Sequence, residues 1–181
     1  MRMRITLFAG LLAIFLATLA CTVPAWVNTV ESDAKVAAPI AAGLIDVIDP
    51  ALAPAVSLIE NGFNALVATL DTYKASPTAT NLQAVQAAFA AVNANVTQLE
   101  SAAQIKNAAT ASTVTQVVAL LAQAVTEIAA LVPAPAAAAM AAGNSGLRIP
   151  NSGAVKHWKA KDFKHAFNNI AKTDPRLKPL K

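Results

Sequence analysis

The chain is 181 residues long, carries fourteen Lys and Arg against ten Asp and Glu, and is 56% hydrophobic but only 5% aromatic and 13% charged. That length fits one domain plus a tail, and a single cysteine excludes an intramolecular disulfide, so packing must hold the fold together. Abundant alanine, scarce glycine and low charge favour helices joined through small-residue contacts.

The first element is an export signal over residues 1–20. Arg2 and Arg4 supply a cationic start, Ile5 to Leu19 is uncharged and apolar, and Thr18-Leu19-Ala20 places a small residue before Cys21. The segment Thr18-Leu19-Ala20-Cys21 resembles the lipobox of bacterial lipoproteins, with Leu19 one place nearer the cysteine than usual. This resemblance covers the leader alone. It implies that Cys21 is acylated through its thiol and becomes the mature N-terminus, anchoring the body on the periplasmic or extracellular side of a membrane. Two other outcomes stay open. A signal peptidase could cut after Ala20 or Ala25 and release a soluble protein, or Ile5 to Val27 could remain as a span of a ~30 Å bilayer with Trp26 at the far interface. In each case the body lies outside the cytoplasm.

Residues 21–132 read as a helical body, all-α, an up-and-down bundle with coiled-coil-like packing. Leu52, Val56, Ile59, Phe63, Leu66, Leu70 and Tyr73 recur at alternating steps of four and three. The same spacing links Leu82, Val85, Phe89, Val92, Val96, Leu99 and Ala103, and then Val114, Val118, Leu121, Val125, Ile128 and Val132. A period near 3.5 keeps one apolar stripe on a partner helix. A shorter first helix is expected from about Asn28 toward Val47, kinked or divided by Pro39. Asp49 before Pro50 predicts a cap, and Thr80 with Gln83 and Thr113 with Gln116 predict capping boxes. Such stripes are core. They lack the His, Cys and multiple Glu of bundle metal sites, so no cofactor or metal is expected.

Between Cys21 and Ala142 only Lys35, Lys74 and Lys106 oppose eight acids, leaving an outer surface of Ala, Gln, Asn, Thr and Ser. A surface so weakly charged suits either solvent or a second copy of the chain. Residues 133–156, with Pro133-Ala134-Pro135 and Gly143-Asn144-Ser145-Gly146, read as a linker. A basic tail follows at residues 157–181. From Gly143 onward the net charge is +7, against −5 for Cys21 to Ala142.

Within the tail, Lys159 to Lys172 reads as a helix with Ala160, Phe163, Phe167 and Ile170 on one face. Lys161, Lys164, His165, Asn168 and Lys172 fall on the other. Lys156, Trp158, Lys159, Lys161, Phe163, Lys164, Phe167 and Lys172 are the candidate contact surface. A basic amphipathic helix lies on anionic lipid, docks in a groove, or packs its Phe face on its own domain with Trp158 as a staple. Lysines interleaved with aromatics also suit nucleic acid, but export argues against that partner.

With both histidines in the tail, no Gly-rich phosphate loop and no CxxC pair, no nucleophile, base and orienter can be assembled. The expectation is a non-enzymatic lipoprotein of the cell envelope whose tail meets an anionic envelope component or protein partner. The alternative is a soluble secreted bundle binding an apolar or lipid ligand, with the tail as a lid.

Overall fold

The computed structural model describes residues 23–106, 111–133 and 158–181, and the described residues contain helix and no strand. The leader with Cys21 and the segment 134–157 with Lys156 lie outside them. Five α-helices pack against one another: α1 (Ala25–Leu44), α2 (Ala53–Ala75), α3 (Ala79–Lys106), α4 (Ala111–Leu131) and α5 (Ala160–Ala171), with a 3-10 turn at Pro50–Leu52 leading into α2. Helix α1 touches α2 and α4, α3 touches the same two, and α5 lies against α1 and α4. One cluster of buried side chains draws on all five helices and on Leu177 beyond the last.

The periodic stripes supply that core. In α2, Val56, Ile59, Phe63, Leu66, Leu70 and Tyr73 are buried, with Leu52 just ahead of them. Val85, Val92, Val96 and Leu99 play the same part in α3, while Leu82 and Phe89 pack half-buried at its edge. Helix α4 buries a broader face that includes Val114, Val117, Leu121, Ala124 and Ile128. A Cβ on Gly62 would sit 2.9 Å from Cγ2 of Val92, so the missing side chain is what lets α2 and α3 approach this closely. Two helical segments, Pro50–Ala75 and Ser112–Leu131, are long and apolar enough to cross a membrane by length and composition, a test that core helices of soluble proteins also pass.

Several helix ends differ from expectation. Helix α1 begins three residues before Asn28 and runs through Pro39 undivided. Pro39 and Lys35, the residue whose carbonyl loses its helical partner, both face solvent, where water can satisfy that oxygen. Asp49 caps as expected, its carboxylate accepting from the Ala51 N–H at 2.8 Å, but it serves the 3-10 turn. Thr78 caps α3 in place of Thr80, accepting from the Asn81 N–H at 3.2 Å. Pro77 explains the position. It forces Ser76 into extended backbone (φ −147°, ψ 91°), so the next helix can start only after it. Thr113 lies inside α4, and Gln116 bonds instead to the Ser112 hydroxyl at 3.0 Å.

Trp26 is half-buried, and its ring stacks on Tyr73 of α2 with centroids 5.9 Å apart. Beside it, Glu31 of α1 accepts from Lys35 on its own helix and from Lys74 on α2. Those two hydrogen bonds, Lys35 first, hold the Glu31 carboxyl below its ordinary value.

Candidate interaction face

Helix α5 is short and needs help at both ends. Its N-cap, Lys159, is extended (φ −112°, ψ 164°), and Asp162 in the first turn reaches back to accept the Lys159 N–H at 2.9 Å. Past the helix the chain folds back along it. Asn168 donates to the Leu180 carbonyl at 3.1 Å and accepts the Leu180 N–H at 2.7 Å. Arg176 grips Asp174 through Nε at 2.9 Å and Nη2 at 2.7 Å. That grip, assisted by the Arg176 N–H and the Thr113 hydroxyl on α4, holds the Asp174 carboxyl down at about 2.

The expected contact surface divides in two. Lys159, Lys161 and Lys172 are exposed, Lys164 is half-buried, and His165 stands in solvent beside them. Phe163 and Phe167 must be removed from the set. Both are 0% exposed, sealed into the core shared with α1 and α4, and neither can meet a partner while α5 is docked. The reason is a matched surface. A Cβ on Gly43 of α1 would lie 3.0 Å from Cζ of Phe167, so the ring rests where a side chain is missing. Burying a Phe side chain contributes about 1.5–3 kcal/mol, so the two rings together hold α5 against α1 and α4. Trp158 is half-buried, tilted on Phe163 with centroids 5.4 Å apart, and so acts as a staple. Lys156 and Cys21 lie outside the described residues.

Because the rest of α5 is pinned, its cations form a fixed face. Lys178 and Lys181 on the returning segment are exposed too.

Sequence reasoning missed a polar junction at the start of α5. Asp33 of α1 is 1% exposed and accepts the Ala160 N–H, while Glu127 of α4, 5% exposed, accepts from Gln123 at 2.9 Å. Burial, and to a lesser degree the Glu127 charge, push the Asp33 carboxyl up to about 6. Beside it runs a groove of about 500 Å³ lined by Asn28, Thr29, Ser32 and Asp33 on one wall and Lys159, Ala160 and Lys161 on the other. The sequence did hold a signal for Asp33. It falls on the α1 stripe of Val30, Ala37, Ile40 and Leu44, where an acid is out of place.

A second, apolar groove of about 280 Å³ lies between α3 and α4, lined by residues that include Phe89, Ala90, Ala129 and Val132. Helix α5 lies on α1 and α4, away from α3, and so does not cover it. Among the described residues no three His, Cys, Asp or Glu side chains gather as metal ligands. No known protein family, curated protein or solved structure matches this chain.

Proposed function

We propose that this protein is a non-enzymatic, lipid-anchored component of a bacterial cell envelope: an up-and-down bundle with coiled-coil-like packing that presents a fixed basic face to an anionic surface. One observation carries the reading. Helix α5 commits its phenylalanines inward and its lysines outward, so the cations are held in place without being used to hold the fold.

The leader adds a geometric argument. Cys21 lies four positions before Ala25 at the start of α1, a reach of at most about 14 Å. An acylated Cys21 therefore keeps the N-terminal end of α1 close to the lipid. Lys159 and Lys161 share a groove with Asn28, Thr29 and Ser32, within about 10 Å of that end at 1.5 Å per residue. Cations so near an anionic membrane surface contribute about 1 kcal/mol each. The anchor supplies attachment and the basic face supplies orientation.

The test begins with the intact mass of the mature protein from the membrane fraction, with Cys21→Ala alongside. Acylated Cys21 at the N-terminus, and release of the variant, are expected. An unmodified N-terminus at Cys21 or Trp26 in the soluble fraction would overturn the anchor. Cosedimentation with anionic and zwitterionic vesicles then tests the face: Lys159→Glu combined with Lys161→Glu should abolish the preference for anionic vesicles, and an unchanged preference would refute it.

A further inference from the structure

The groove between α1 and α5 has an unmet acceptor at its deepest point. Asn28, Thr29 and Ser32 on one wall and Lys159 and Lys161 on the other are exposed, whereas Asp33 is 1% exposed and forms the floor. One of its carboxylate oxygens accepts the Ala160 N–H, and Oδ2 is buried with no hydrogen-bond partner. Buried acceptors are nearly always paired in native proteins, because an unpaired one has lost its water and gained nothing. The surrounding charges do not supply the donor. Neither lysine of the far wall bonds to Oδ2, Glu127 from α4 adds a second negative charge nearby, and Lys35 and Lys74 serve Glu31. Burial raises the Asp33 carboxyl only to about 6, so at pH 7.5 it is ionised.

We propose that this groove binds a phosphate ester bearing a primary ammonium, the chemistry of a phosphoethanolamine headgroup, with the ammonium at Asp33 and the phosphate at Lys159 and Lys161. The polarity of the site fixes the ligand's orientation. An anion on the floor would meet two buried carboxylates, while a cation there gains a charge-assisted hydrogen bond, about twice as strong as a neutral one. A primary ammonium has N–H donors enough for Oδ2 and for the hydroxyls of Thr29 and Ser32. At the other end, phosphate oxygens only accept, and the two lysine ammoniums and the Asn28 amide supply donors. A free amino acid holds its charges one carbon apart. Phosphoethanolamine spaces them by two carbons and an oxygen, a better match to an acid on the floor and cations on an exposed wall of a groove of about 500 Å³. The membrane as source of this ester rests on the lipid-anchored reading above; the chemistry of the groove does not.

Titration of the isotope-labelled chain with glycerophosphoethanolamine at pH 7.5, followed by NMR, tests the site. The amides of Asp33, Ala160 and Lys161 should shift saturably. Glycerophosphocholine, whose quaternary ammonium has no N–H for Oδ2, should bind about tenfold more weakly, and glycerophosphoethanolamine should lose about as much in Asp33→Asn. Lys161→Met, a change at an exposed position, should weaken binding several-fold and leave distant amides unmoved. Absence of saturable shifts, equal affinity for the two esters, or unchanged affinity in either variant would each overturn the proposal, and the comparison of esters needs no variant. Vesicles then separate the sources. Phosphatidylcholine vesicles with added phosphatidylethanolamine should bind more of the chain than those without it, and Asp33→Asn should erase the difference. No difference, with the soluble ester still bound, would uphold the groove and sink the membrane source, just as an unmodified Cys21 alongside ester binding would overturn the anchor and leave the groove standing.

Discussion

Between α2 and α3 the contact is apolar and close, with Gly62 against Val92 and no charged residue from Ala79 to Leu99. Around α5 the contact mixes two fully buried rings with three buried acids, Asp33, Glu127 and Asp174. The first kind of seam depends only on shape and holds at any pH. The second depends on charge state as well, so the same molecule has one unconditional side and one conditional side. The conditional side is that of α5, a twelve-residue helix held by two buried rings and flanked by acids whose charge state varies with pH.

The largest predicted effect breaks this comparison on the conditional side. Phe163→Ala or Phe167→Ala should each cost about 3–5 kcal/mol of docking, enough to release α5 while α1 to α4 stay folded. Hydrogen exchange should show α5 amides unprotected and α2 amides unchanged; loss of protection in both would mean that α5 is part of one indivisible cooperative unit. Gly62→Ala strikes the other side. Its new methyl overlaps Val92, and overpacking of about 1–3 kcal/mol exceeds the up to about 1 kcal/mol that alanine gains in a helix. Urea unfolding should register the loss, and adding Val92→Ala should recover part of it through coupling between the pair. Gly43→Ala meets only the tip of the Phe167 ring, so its smaller effect should fall on α5 alone.

Acid should also separate the two sides. Asp174 is held below its unfolded value, so what it contributes is present above about pH 4 and is lost as pH falls toward 2. Asp33, raised by burial, opposes that trend. Asp174→Asn should remove it, seen as a flatter acid limb in a pH titration of thermal unfolding. Smallest is Lys74→Ala, which leaves Glu31 with Lys35 alone and should cost at most about 1 kcal/mol by denaturant titration.

The stripes of α2, α3 and α4 were legible because a 3.5-residue period has one physical reading, a face against another helix. The amphipathic character of α5 was legible for the same reason, but the identity of what covers it was not. Periodicity reports that Phe163 and Phe167 need a cover, and only the position of Gly43 on α1, more than a hundred residues away, shows that the chain supplies one itself. Helix ends misled where two caps competed, as with Thr78 and Thr80, because Pro77 decides between them through backbone geometry. Asp33 was overlooked because counting acids by net charge treats each as solvated. Its place on an apolar stripe was the missing clue.

The ring of Phe167 over Gly43 joins α5 to α1. A ribosome makes α1 well before α5, so the shallow dent at Gly43 stays open while the more than one hundred residues between Gly43 and Phe167 are added. A chain interrupted between the two would thus display an unfilled apolar patch where Phe167 belongs.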